Sequence, residues 1–255
     1  GAGAKSAKFV ASGTLASGQT VALKSDGTVS AISAQVSSDL VFESAQSSYL
    51  SSTFDSANNK VVIFYSDYGN SQYGTAIVGT VSGTAISFGT PVVFNSADHN
   101  SISATFDNNA NKNIVVYTDG GASNNGKAIV GTVSGTSISF GSEGTFNAAS
   151  TTFIGSAFDS TANKVVVAFR DDGNSDYGTA VVGTVSGTSI SFGSEAVFET
   201  NQTSLHSLAY DPDENKTVLN YRHDGASGHG KSRVGTVSGT SISFGTPVEF
   251  TDFAI

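Results

Sequence analysis

The twelve residues Val130–Gly141, VGTVSGTSISFG, return unchanged at Val182–Gly193 and Val234–Gly245. They return once more at Val78–Gly89, with Ala85 in place of serine. Gly79, Gly131, Gly183 and Gly235 lie 52 residues apart, and Asp55, Asp107, Asp159 and Asp211 keep the same step, as do Phe94, Phe146, Phe198 and Phe250. The phase is never lost, so residues 41–250 are four copies of one unit and residues 1–40 stand outside them. A fixed period of this size confines the chain to architectures in which one supersecondary unit buries its apolar face against the next.

Each unit carries strand signals and no helical periodicity. Leu50-Ser-Ser-Thr-Phe-Asp55 alternates apolar and polar residues, as a half-buried strand does. The turn formers Ser56-Ala-Asn-Asn59 follow; their counterparts in the last unit are Pro212-Asp-Glu-Asn215. Asp55 and Asn59, with their equivalents, read as turn-fixing residues. Lys60–Tyr65 is apolar on both faces and is expected to be buried on both. A glycine-rich loop, Asp67–Gly74, leads into a third strand, Thr75–Val81. Val81-Ser82-Gly83-Thr84 is then a hairpin turn, with glycine supplying positive φ at no steric cost. Ile86 and Phe88 alternate on a fourth strand. Gly83, Gly135, Gly187 and Gly239 are all expected at positive φ.

Four-stranded antiparallel units of 40–50 residues without helices are the pattern of β-propeller blades. The expected fold is all-β: a propeller-like array of four 52-residue, four-stranded repeats over residues 41–255, with four units able to close a small ring. Residues 1–40 are expected to form a small β segment for attachment or self-association. Thr20–Ser30 reads as a hairpin on an Asp26-Gly27 turn. Thr28-Val29-Ser30 lies 52 residues before Thr80-Val81-Ser82, which hints at a further half-unit, but the turn positions disagree.

Composition excludes several function classes. The formal net charge of −9, with only 12 Lys and Arg, argues against binding a phosphate backbone. The longest apolar runs fall short of a membrane span. No apolar stretch follows the basic start, so no signal peptide is expected. There is no cysteine, hence no disulfide and no thiolate metal site. There is also no methionine, as in a chain that has lost its initiator or been processed.

In a propeller, the loops between the second and third strands emerge on one face. Here they run from Asp67 to Gly74, Asp119 to Gly126, Asp171 to Gly178 and His223 to Gly230. Glycine and serine recur at fixed places while Gln72, Asn124, Asp176 and Gly228 differ, as do Tyr73, Asn125, Tyr177 and His229. A constant frame with variable tips suits recognition. The ligand-binding residues expected are Tyr73, Asn125, Tyr177 and His229, with Asp67, Asp119, Asp172 and Asp224 behind them. Aromatic faces would stack on a sugar while Asp and Asn pair with its hydroxyls. The alternative is that the Asp and Ser residues only bond local backbone.

Enzyme readings fare poorly, and no cofactor is implied. His206, His223 and His229 with Asp224 lack the spacing of a zinc site and read as surface histidines. Arg170 and Arg222 could grip an anion but read as solvated strand-end residues. Glu43, Glu143, Glu195, Glu199 and Glu249 lie around the fourth strand and its exit, not as a facing pair of the glycosidase kind. No nucleophile elbow, P-loop or zinc-protease motif is present.

The stretch NKVVVAFRDDGNSDYGTAVVGTVSGTSISFGSE, Asn163–Glu195, and its counterparts resemble repeats of virion proteins of marine bacteriophages, especially cyanophage-type tail-fibre or surface proteins. Ala11–Ile32 is similar to a short β module placed before such repeats. The resemblance implies an extracellular, virion-borne β protein and carries no catalytic residues. The resulting expectation is a non-enzymatic virion surface protein that binds host surface polysaccharide or glycan. Residues 1–40 would meet other virion proteins, and homo-oligomers are possible. The alternatives are a self-associating decoration or sheath protein and a secreted bacterial adhesin.

Overall fold

The structure, a computed structural model, describes residues 8–31, 40–226 and 228–251. The chain forms two compact units, Gly1–Leu40 and Val41–Ile255. In the first, β1 (Val21–Leu23) and β2 (Val29–Ala31) pair antiparallel. Asp26 holds their connection by accepting from both the amide and the hydroxyl of Thr28, and Gly27 sits at φ 79°. The residues that would complete a further half-unit, 32–39, lie outside the described residues.

The larger unit is all-β and antiparallel. Its first repeat holds β3 (Ser47–Asp55), β4 (Lys60–Asp67), β5 (Tyr73–Ser82), β6 (Ala85–Phe88) and β7 (Val92–Asp98). The second holds β8 (Ile102–Asp107), β9 (Lys112–Asp119), β10 (Asn125–Ser134) and β11 (Ser137–Phe140), and runs into β12 (Gly144–Asp159). The third adds β13 (Lys164–Asp171), β14 (Tyr177–Ser186) and β15 (Ser189–Phe192), and runs into β16 (Ala196–Asp211). The fourth ends the chain with β17 (Lys216–His223), β18 (His229–Ser238), β19 (Ser241–Phe244) and β20 (Val248–Glu249). The pairing register repeats with the sequence: Val62 faces Val78, Ile114 faces Val130, Val166 faces Val182 and Val218 faces Val234.

One strand per unit was not legible. The outer edge of β5 is shared by two partners. The hairpin strand β6 covers its second half, Gly79 opposite Phe88, and β7 covers its first half, Ala76 opposite Val92. Each unit therefore has five strand segments, not four. The fifth continues into the first strand of the next unit. In β12 and β16 the two are a single 16-residue strand that belongs to two sheets. The crossing is marked by a bulky residue at positive φ: Phe153 at 51° and Leu205 at 54°, with Tyr49 at 50° at the equivalent place in β3.

The core lies between units. Val62, Phe64, Ala76 and Val78 of the first meet Ile102, Val115, Tyr117 and Ile129 of the second. The same arrangement joins the second to the third and the third to the fourth. Each layer is stapled by the phenylalanine of the fifth strand. Phe94 lies 5.2 Å from Tyr117 and 5.8 Å from Phe140, and Phe146 and Phe198 repeat the contact on the following units. Phe42, one period before Phe94, makes it on unit one, 5.3 Å from Tyr65 and 5.7 Å from Phe88. Packing runs between consecutive units. Among the described residues, none of comparable extent joins the first unit to the fourth, so the four do not close a ring by themselves.

The turns follow their expected chemistry. Asn59, Asn111, Asn163 and Asn215 hold φ between 53° and 56°. Asp107, Asp159 and Asp211 accept backbone amides two and three residues on, and Asp55 accepts the amide of Asn58. Asp55 also accepts from Asn113 of the next unit at 3.0 Å. Gly83, Gly135, Gly187 and Gly239 sit at φ 60–62°. The central pair of each hairpin is Gly-Thr, one residue later than a Ser-Gly pair would be, because Ser82 pairs with Ala85. Glycine first, with the next residue at negative φ, is a type II′ turn, whose twist matches the strands.

Candidate recognition loops

The loop after β4 is built around a buried carboxylate. Asp67 accepts from the amides of Gly69 (2.9 Å) and Asn70 (3.2 Å), holding one 3-10 turn, and Ser71 follows in the left-handed region at φ 56°. Asp119 and Asp171 do the same through Gly121 (3.0 Å) and Gly173 (3.1 Å). The loop lies against the chain entering its own unit. A Cβ on Gly69 would come within 2.7 Å of Ala45, and one on Gly173 within 2.4 Å of Ala149. Glycine is required there by close approach. In the last unit His223 stands where the others have aspartate.

The expected site residues separate into distinct roles. Asp67 and Asp119 are buried and their oxygens are used by their own loops. Their register mate is Asp171; Asp172 and Asp224 fall one position later, in register with Tyr68 and Gly120. Asp172 accepts from Arg170 Nε at 2.6 Å, Thr152 Oγ1 at 3.0 Å and Ser150 Oγ at 3.1 Å. Asp224 lies 3.2 Å from Arg222 Nε. Tyr73, Asn125, Tyr177 and His229 are the first residues of β5, β10, β14 and β18, half-buried and paired across to Asp67, Asp119, Asp171 and His223. His229 Nδ1 is 2.8 Å from Glu249. The exposed apices are instead the residues just before: Asn70 and Ser71, Ser123, and Asn174 and Ser175, flanked by half-exposed Gln72, Asn124 and Asp176.

Two readings of charged residues are corrected by burial. His206 and His223 are not surface histidines. His206 takes the place of Ile102 and Ile154 in the layer between units. There it is fixed by Phe153 O (2.5 Å) and Thr203 Oγ1 (2.9 Å), and burial pushes its pKa down to about 4. Arg170 is not a free, solvated strand end. Asp172 and Asp176 pair with it, and its guanidinium lies 4.8 Å above the Phe153 ring.

The glutamates form polar seams that sequence reasoning left without a role. Glu143 accepts from Tyr117 Oη (2.6 Å) and Asn95 Nδ2 (2.7 Å), with Lys127 at 3.5 Å. Glu199 accepts from Asn201 (3.0 Å) and Tyr221 (3.1 Å), with His223, Lys231 and Arg233 between 3.6 and 3.9 Å. Burial alone would raise both carboxyls, but these donors outweigh it and each is held below the usual range. Burial also lowers the His223 pKa. Burial lifts Tyr221 to about 12. The signal available was the 52-residue register, which sets Glu199 in the place of Asn95 and Asn147.

Among the described residues no three His, Asp or Glu side chains gather closely enough to hold a metal ion. A groove of about 410 Å³ lies away from the loops, along β8, β12 and β16 and the turns that follow them, lined by Thr105, Phe106, Ser156, Phe158, Leu208 and Tyr210. The sequence reading assigned those turns no function. The chain matches no protein-family model and no curated protein.

Proposed function

We propose that this chain is a non-enzymatic recognition protein of a bacteriophage virion surface, an open arc of propeller-like blades whose loops bind host surface glycans. The observation that carries the reading is the loop frame. The backbone around Ser71, Ser123 and Ser175 is the same to within a few degrees, locked by a buried aspartate, while the neighbouring positions present Gln72, Asn124 and Asp176. The constant frame does not require one side-chain type at these half-exposed flanks, so their variation is free to serve a ligand. In this reading Tyr73, Asn125, Tyr177 and His229 floor the site. Asp67 and Asp119 position the backbone, and Asp172 and Asp224 orient Arg170 and Arg222. Weak contacts multiplied over several loops and many copies on one particle gain avidity. Residues 1–40 would meet other virion proteins. A glycan array followed by binding to isolated host polysaccharide tests this. Tyr73→Ala with Tyr177→Ala should leave the unfolding midpoint nearly unchanged and weaken binding, whereas parental binding by that variant would overturn the site. A second reading, a self-associating decoration protein, is favoured by the uncovered apolar face of unit one.

A further inference from the structure

The two ends of the array differ in chemistry. In units two to four, the face turned toward the preceding unit is covered: Ile102, Ile154 and His206 are 8%, 6% and 9% exposed, and Val115, Val167 and Leu219 are fully buried. On unit one the same positions are Leu50, 54% exposed, and Ile63, half-buried; Phe54 beside them is 56% exposed. Phe42, Leu50, Ser52 and Ile63 line a groove of about 280 Å³ there. At the other end the outgoing face has turned partly polar: Val218 and Val234 keep the places of Val62 and Val78, but the two positions between them have changed. Where units one to three place Phe64, Val116 and Ala168, unit four has Asn220; where they place Ala76, Ala128 and Ala180, it has Ser232. Ser232 donates its hydroxyl hydrogen bond to Asn220. That is the chemistry of a terminal unit that faces water, whereas the face of unit one keeps the chemistry of an internal layer.

We infer that the incoming face of unit one is an interface between two copies of this chain, paired about a two-fold axis, Leu50, Phe54 and Ile63 of one copy against the same residues of the other. Two observations select this occupant over a head-to-tail copy. A head-to-tail mate would set Asn220 and Ser232 against Leu50 and Ile63, apolar on polar. It would also bring Phe250 to the position over Tyr65 and Phe88 that Phe42 already fills. The two-fold arrangement buries apolar surface on both sides, leaves both polar ends outward, and is the commonest closed symmetry.

Light scattering and sedimentation of the full chain at micromolar concentrations test this. The parent should be a dimer with no larger species. Leu50→Asp with Phe54→Asp should weaken association at least ~100-fold, since each copy would bury unpaired charge, with an unchanged circular dichroism spectrum. Ser52→Arg at an exposed position on the same face should do likewise if the double variant fails to fold. Asn220→Arg with Ser232→Arg, at the other end, should remain dimeric. A monomeric parent, a dimer that survives the charges on unit one, dissociation by the unit-four variant, or a ladder of larger oligomers would each overturn the inference.

Discussion

Gly135→Val and Gly83→Val separate a turn's backbone cost from its seat on the neighbouring unit. Both glycines open a hairpin, at φ 62° and 60°, and a Cβ on either meets nothing within 4 Å. The local cost is therefore conformational. An L residue held at positive φ loses about 1–2 kcal/mol, and a β-branched one sits near 2–3 kcal/mol. Valine also restricts the unfolded chain, which returns roughly 0.5 kcal/mol. Gly83→Val should thus cost about 2 kcal/mol. The second hairpin carries a further constraint. A Cβ placed on Gly89 would lie 1.9 Å from the carbonyl oxygen of Thr136, so the tip of β10–β11 rests directly on unit one. Relaxing the turn at Gly135 must lift that tip, and Gly135→Val should cost about 1 kcal/mol more than Gly83→Val. With a urea m-value near 3 kcal/mol/M, the midpoints should fall by roughly 0.7 M and 1 M. The assay is urea unfolding followed by circular dichroism, with hydrogen exchange of residues 133–138 to confirm that the loss is local. Equal shifts would remove the inter-unit seat from the account. No shift at either glycine would refute the turn geometry itself.

Two further perturbations probe the layers and the loops. His206 has a folded pKa of about 4 against 6.5 unfolded, so between those values the unfolded chain binds more protons. Stability is full above about pH 6.5 and falls by roughly 3 kcal/mol toward pH 4; His206→Ile, the residue of units two and three, should flatten that limb of a pH titration of the unfolding midpoint. Asp119→Ala removes the acceptor for Gly121 and should cost about 1 kcal/mol, with faster amide exchange confined to residues 120–124 and the β9 amides unchanged.

The period and the turns were legible because identical local chemistry was written four times. Asp55, Asn59 and Gly83 act within two or three residues of themselves, and their behaviour needs no tertiary context. The fifth strand was not legible because nothing breaks the chain where it begins its second life. Thr145 to Asp159 carries no Pro or Gly except Gly155, and the left-handed residue at the crossing is Phe153, a type that gives no hint of that conformation. The 52-residue step already set Asp171, not Asp172, with Asp67 and Asp119, and the hydrogen bond from the Gly173 amide agrees with it. His206 was misjudged by residue type, although its register with Ile102 and Ile154 already pointed inward. Closure was beyond reach because one unit fixes only its two neighbours, and the first and fourth share no local signal.

The shared strands β12 and β16 change what it means for one unit to open. Unfolding unit three means withdrawing the second half of β12, but its first half is the edge partner of β10 in unit two, Ala128 opposite Gly144 and Lys127 opposite Thr145. Tension applied along the chain is therefore handed from sheet to sheet through continuous backbone before any layer of side chains must part. An array built this way should resist pulling as a laminate with common fibres, yielding in steps larger than one unit.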